Sequence, residues 1–283
     1  MTDKRIAFVT GGSRGIGAAI VQRLARDGFH VVAVARSLDK LEAVCGQIKS
    51  EGGSAEAMAV DIADPKALAA AIEKTAETHG RLDVLVNNAG YGNVRPIEDT
   101  SLAEFRAQIE TNLFGVINVT KAAIPRMREQ GSGHIIQLSS VGGRVGAMGR
   151  APYSTAKWGI EGFSEVLAKE VGPLGIKVTI IEPGGFRTDF AGSSTTLEEG
   201  RPEYDSTVGA AARFQRDYNG SQPGDPAKAA AVILQVAGME DPPLRLLLGS
   251  DAVRTVEQAD LARTESDRRW RRLSLSTDFD AVS

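Results

Sequence analysis

A doubly wound α/β fold, with about seven parallel strands and helices on both faces of one sheet, is predicted from three observations. Short β-branched runs alternate with longer stretches that carry apolar residues at helical spacing. Strand, helix and strand repeated in this way argue a parallel sheet covered on both sides. The pattern continues through residue 183 with no linker tract and no internal repeat, so one domain is expected rather than two.

The expected strands are residues 6–10, 30–35, 55–60, 82–87, 134–139, 177–182 and 245–249. Ile16, Ile20 and Leu24 open the first helical stretch, and further helices are expected around 102–127 and 153–171. Residues 184–225 break the pattern. They have weak periodicity and much Gly, Ser and Thr, and a connection that long reads as a lid or binding loop. Residues 1–250 are therefore expected to form the binding and catalytic domain, and 251–283 a helical extension. Within it 255–273 is charged and helical, and 274–283 frayed.

Composition excludes several classes. With 42% hydrophobic and 24% charged residues the chain is neither disordered nor collagen-like. Its 33 basic and 36 acidic residues, net charge −3, leave no electrostatic footprint for nucleic acid or an anionic membrane. No apolar run reaches the roughly 18–20 residues of a membrane span, and the run ending at Thr10 is too short for a signal peptide. The single Cys45 cannot form an internal disulfide, suits a reducing compartment and reads as a packed thiol, so a cytoplasmic location is expected. His30, His79 and His134 are scattered without metal-ligand spacing, so no metal is expected. The basic run Arg268-Arg269-Trp270-Arg271-Arg272 sits among Glu265, Asp267 and Asp278 and reads as a solvated helix end.

After the first strand comes Thr10-Gly11-Gly12-Ser13-Arg14-Gly15-Ile16-Gly17 and then an apolar helix. Glycines permit a sharp turn and close backbone approach, and the helix N-terminus offers unpaired N–H donors to a pyrophosphate. The second strand ends at Ala35-Arg36. An acid in that region bonds a free ribose hydroxyl, whereas an arginine accommodates a 2′-phosphate. With Arg14 close by in the turn, this favours NADP(H) over NAD(H). Asp61 ends the third strand, where its carboxylate would meet the adenine amino group. Asp64, before Pro65, suits a helix cap.

Tyr153 and Lys157 stand one helical turn apart. A phenol titrates near 10, too high for acid–base work at neutral pH, and a neighbouring ammonium favours phenolate. Ser140 lies at the carboxyl end of an expected strand, where open α/β sheets hold their ligands. Its hydroxyl would hold a carbonyl oxygen beside the phenol.

With these residues in place the chain resembles the short-chain dehydrogenase/reductase family over about residues 5–250. The resemblance rests on the glycine turn, Asn87-Asn88-Ala89-Gly90 after the fourth strand, Asn112, Ser140, Tyr153 with Lys157, and Pro183-Gly184 with Thr188. It implies a Rossmann-type fold and hydride transfer between a nicotinamide and a carbonyl or secondary alcohol. Tyr153 would be the general acid or base, Lys157 would lower its pKa and bond the nicotinamide ribose, and Ser140 would orient the substrate oxygen. Asn112 would hold a water in a proton relay through Lys157. Cofactor contacts would come from Gly11, Ser13, Arg14, Gly15, Ile16 and Gly17, and from Arg36, Asp61 and Ile62. Asn88, Ala89 and Gly90 would follow along the cofactor, then Tyr153, Lys157, Pro183, Gly184, Phe186 and Thr188. Family tetramers often pack their last strands together. The 34 residues after 249 put that in doubt here, and a homodimer through the helices around 102–127 and 153–171 is expected instead.

Two alternatives keep the fold. A nucleotide-binding sensor without turnover would be favoured by loss of Tyr153 or Lys157, and both are present. A redox-neutral epimerase or dehydratase usually carries another glycine pattern and a larger C-terminal domain. Phe186, Phe190, Tyr204, Phe214 and Tyr218 fall within 33 residues and favour an apolar or aromatic substrate. Arg144 and Arg150 are candidates for an anionic substrate group.

Overall fold

The computed structural model describes residues 4–190, 192 and 194–279. The chain runs β1 (Ile6–Thr10), α1 (Gly15–Arg26), β2 (His30–Ala35), α2 (Leu38–Ser50), β3 (Ser54–Ala59) and α3 (Pro65–His79). It continues through β4 (Val84–Asn87), β5 (Gly92–Val94), α4 (Leu102–Ile109), α5 (Gly115–Gln130), β6 (Gly133–Leu138) and α6 (Ala151–Val171). The last elements are β7 (Ile176–Pro183), β8 (Thr195–Leu197), α7 (Ala210–Tyr218), α8 (Pro226–Ala237), β9 (Arg245–Leu248) and α9 (Ser250–Leu275).

Alternate side chains of β1 enter two different cores. Ala7 and Val9 pack with Ile20 and Leu24 of α1, Leu41 and Ile48 of α2, and Ile233 of α8. Ile6 and Phe8 pack with Leu68 and Ile72 of α3, Val119 and Met127 of α5, and Leu167 of α6. A strand buried on both faces needs apolar residues at every position, which is why β1 reads as an unbroken run. The seven-stranded sheet is parallel throughout, in the order β3-β2-β1-β4-β6-β7-β9. Strand order reverses between β1 and β4, the switch point at which such sheets hold ligands. Asp64 caps α3 as expected, accepting from the Lys66 and Ala67 amides at 3.0 Å each.

The first two strands fall at the expected residues and the others shift by one or two. β3 starts at Ser54 because Ser54 stands opposite His30, the first residue of β2. β4 starts at Val84, not residue 82. The Gln130 side chain takes both backbone groups of Leu82, its N–H at 2.7 Å and its carbonyl at 2.9 Å.

Three larger differences are tertiary. The expected helix 102–127 is two helices, α4 and α5, joined by a π turn at Glu110–Phe114. The stretch 184–225 is ordered, with β8, a π turn at Asp205–Gly209 and α7; its residues 191 and 193 lie outside the described ones. β8 pairs in parallel with β5, and Arg95 clamps them to α4 through Glu198 and Glu104, both at 2.8 Å or less. α9 begins at Ser250, five residues earlier than expected, and continues through Leu275. Its first turns bury Ala252 and Val256, whereas residues 261–275 are exposed, the Arg268–Arg272 run included. Residues 280–283 of the expected frayed end lie outside the described residues. Cys45 is packed in the first core, and burial raises its thiol pKa. Among the described residues no helix is long and apolar enough to cross a membrane.

Candidate active site

The carboxyl ends of the central strands open onto a cavity of about 840 Å³. Its floor is the turn from β1 into α1. Gly11 and Gly15 have φ of 67° and 57°, which only glycine adopts without strain. A Cβ on Gly17 would run into the Gly11 carbonyl oxygen and the Asn88 side chain. Asn88 is the clamp: its Nδ2 donates to the carbonyls of Thr10 at 3.1 Å and Gly11 at 3.2 Å. The Thr10 hydroxyl accepts from the amides of Asn88 at 3.1 Å and Ala89 at 3.2 Å. The N-cap residue of α1, Arg14, makes no side-chain cap hydrogen bond, and that end of the helix presents its amides to the cavity. An empty-handed helix N-terminus and a cradle that any Cβ would fill together fit a dinucleotide pyrophosphate.

Every residue expected along the cofactor lines this one cavity, from Gly11 and Ser13 to Phe186 and Thr188. At one end Arg14 and the exposed Arg36 are joined by Lys40, in the first turn of α2, and neutral Ala35 ends β2 just before Arg36. Asp61 holds its own turn through the Ala63 amide at 3.0 Å. Ile62 is buried beside it. Thr188 closes over the other side, its Cβ near the site a Cβ on Gly15 would occupy.

The Ser140 hydroxyl sits just beyond β6 and accepts from the Gly142 amide at 3.0 Å. Tyr153 is buried in the first turn of α6, its ring and the Ser140 hydroxyl both beside Gly142. Lys157 donates to the Leu138 carbonyl at 2.7 Å, and its ammonium is 5.7 Å from the centre of the Tyr153 ring. Burial raises the Tyr153 pKa, partly offset by the nearby Ser140 hydroxyl and the charge of Arg150. Burial also pushes Lys157 down to about 8, against the opposing charge of Glu161. Lys157 is turned onto the strand carbonyl, and Arg150 is a second cation beside the phenol, 5.8 Å from the ring centre.

Asn112 is fully buried in the π turn but does not line the cavity. Its side chain is committed to the backbone of Tyr91, accepting from the amide at 3.1 Å and donating to the carbonyl at 2.7 Å. Arg144 also stands apart from the cavity lining, since Glu182 at 3.3 Å and Asp260 at 2.8 Å hold its guanidinium. Four of the five expected aromatics, Phe186, Phe190, Phe214 and Tyr218, line the cavity, with Phe190 at 5.6 Å from the Tyr153 ring. Tyr204 instead packs with Val94, Val208 and Ala212.

Two cavity residues come from beyond the expected boundary at 250. Asp251 accepts from the Gly185 amide at 2.7 Å, and Thr255 follows one turn later. No sequence signal marks either, because α9 reaches the cavity only through the crossover of β9. The histidines also regroup. His134 is buried with Nε2 on the Thr179 hydroxyl at 3.0 Å, and desolvation pushes it down to about 4. His30 and His79, 49 positions apart, have ring centroids 4.3 Å apart, tilted by 39°, beside Glu56.

Residues 5–199 match the family model described as short chain dehydrogenase. The chain belongs to the short-chain dehydrogenase family. Its family relatives include an oxidoreductase, BOA17, of Botryotinia fuckeliana, 44% identical over 96% of this chain and 99% of its own length. A short-chain dehydrogenase from Streptomyces avermitilis superposes with a TM-score of 0.89 at 38% identity, covering 98% of this chain and all of that one. A metagenomic short-chain oxidoreductase solved in complex with NADP superposes at 0.70 with 32% identity, over 86% of this chain and 96% of its own. The family this chain belongs to is one of oxidoreductases.

Proposed function

We propose that the protein transfers hydride between NADP(H) and a carbonyl or secondary alcohol, with Tyr153 as the proton donor and acceptor. The observation that carries this reading is the Tyr153–Ser140 pair with Lys157 one turn on, at the wall of the cavity that holds the glycine cradle. A bound nicotinamide supplies or accepts the hydride. The chain's own part is proton handling. In reduction the Ser140 hydroxyl orients the carbonyl oxygen, and the Tyr153 phenol gives that oxygen its proton. In oxidation the phenolate takes the proton back. Burial alone opposes phenolate. Lys157, still largely charged at neutral pH, offsets that cost once its ammonium is drawn from the Leu138 carbonyl toward the bound ligands.

Arg14, Arg36 and Lys40 support NADP over NAD, as does the NADP complex of the metagenomic relative. The aromatic lining supports an apolar or aromatic substrate on the 184–225 side. The proposal takes 1–250 as the binding and catalytic unit with α9 completing its wall, and places it in a reducing, cytoplasmic setting. Phe114, Trp158 and Val166, exposed on the faces expected for a helix-bundle interface, support a homodimer, which light scattering reads directly.

The test is a panel of ketones and aldehydes followed by NADPH absorbance. Stoichiometric NADP formation, faster on aromatic ketones than on sugars, is the expected result. Conversion without cofactor oxidation, or a preference for NADH, overturns the reading.

A further inference from the structure

We infer that His30, Glu56 and His79 form a binding site for one divalent transition-metal ion of the zinc class, at the end of the sheet opposite the cavity. His30 is the first residue of β2, Glu56 lies near the start of the adjacent β3, and His79 is the last residue of α3. In the parallel register Val32 stands opposite Glu56. His30, two residues before Val32, therefore shares a sheet face with Glu56. The α3 helix runs back across that face and delivers His79 to the same corner.

The three donor atoms all lie within 4.8 Å of one another. His79 Nε2 is 3.3 Å from Glu56 Oε1, and His30 Nε2 is 3.8 Å from it. Ligands bound tetrahedrally at about 2.0–2.2 Å stand roughly 3.3–3.5 Å apart, so little movement is needed. An outer partner is also present. His30 Nδ1 is 2.7 Å from the Ser54 hydroxyl, which accepts the Nδ1–H when Nε2 turns its lone pair to an ion. His30 Nε2 is buried and has no hydrogen-bond partner. A buried nitrogen aimed at a carboxylate across 3.8 Å is the gap an ion fills.

Without an ion, His79 Nε2 hydrogen-bonds Glu56 Oε1 at 3.3 Å and His30 Nε2 has no partner. An ion takes the place of that bond and engages both rings, whose centroids are 4.3 Å apart. Two imidazoles and one carboxylate suit zinc, cobalt or nickel rather than magnesium or calcium. Glu56 is 40% exposed on its side chain, so water can complete the coordination and the ion can enter. Bound there, the ion would cross-link the end of α3 to the two strands at the sheet edge, a structural role remote from Tyr153.

Full-length, metal-depleted protein titrated with Zn²⁺ at about pH 7.5, where free imidazole is neutral, should bind one ion per chain. With zinc at about 100 times its Kd the melting temperature should rise by about 5 °C. Loss of an outer-shell partner already costs metal sites about 10–100-fold, so His79→Gln and His30→Gln should weaken binding by about a hundredfold or more. Glu56→Gln, at a partly exposed side chain, provides a third variant should a histidine substitution impair folding. Cobalt should give the visible absorption of a low-coordinate N/O site in the wild type alone. Absence of saturable zinc binding overturns the inference. So does an affinity that changes less than about tenfold in the folded variants, which would place the ion elsewhere.

Discussion

The two walls of the cavity are built differently. The β1–α1 wall is made of backbone: glycines at positive φ, exposed helix amides, and carbonyls clamped by the short side chains of Thr10 and Asn88. The facing wall, from residue 184 into α9, is made of side chains joined across the chain. Behind that wall Arg95 meets Glu198 and Arg144 links Glu182 to Asp260, and at the cavity itself Asp251 reaches back to Gly185. A backbone wall suits the phosphates of a dinucleotide, which amides can hold without particular side chains. A side-chain wall can be resurfaced without disturbing the sheet, and it carries the aromatics that line the cavity. Tyr153 stands where the two walls meet.

The largest expected effect is at that junction. Tyr153→Phe should lose turnover by about two orders of magnitude or more and leave cofactor affinity unchanged, since only the proton donor is removed. Steady-state kinetics and a cofactor titration check it. Near-native turnover removes Tyr153 from the mechanism.

The backbone wall should respond in cofactor choice alone. A charge-assisted contact from Arg36 to a 2′-phosphate is worth about 1.5–3 kcal/mol, or roughly ten- to a hundredfold in affinity. Ala35→Asp with Arg36→Ala should reverse the preference between NADP and NAD and leave the substrate KM alone. Equal weakening of both cofactors would show that Arg36 does not read the phosphate.

The side-chain wall should respond to pH. Glu182 is fully buried, and desolvation together with the charge of Glu161 pushes it up to about 7 against Arg144 and Arg245. A carboxyl whose folded pKa is raised binds its proton more tightly in the native state. Its contribution is full below about 4.5 and is lost as pH rises toward about 7. The melting temperature of wild type relative to Glu182→Gln should therefore fall between about pH 5 and pH 8. A flat or rising difference contradicts the assignment.

The smallest effect marks where that wall ends. A chain stopping at Ser266 removes only exposed residues among the described ones and should keep activity, with a stability change within about 0.5 kcal/mol. A chain stopping at Gly249 also loses Asp251 and the buried Ala252 and Val256, and should lose substrate turnover. Activity unchanged in the shorter chain would show that α9 is no part of the cavity.

The alternation of apolar runs, the glycine turn and the one-turn spacing of Tyr153 and Lys157 were legible in the residues alone, because each is a local requirement. A parallel strand buried on both faces must be apolar, a left-handed turn must be glycine, and two groups on one helical face must stand three or four positions apart. The tertiary structure decided what local rules do not contain. Pairing β5 with β8 ordered the stretch read as a loop. The π turn aimed Asn112 at Tyr91 rather than into the cavity. The crossover to β9 carried Asp251 into the cavity wall. Parallel register beside a returning helix drew His30, Glu56 and His79 together. Lys157 settled on a strand carbonyl, and Arg150 joined it beside the phenol. Each of these depends on which elements lie side by side, and that is set by the sheet order rather than by spacing along the chain.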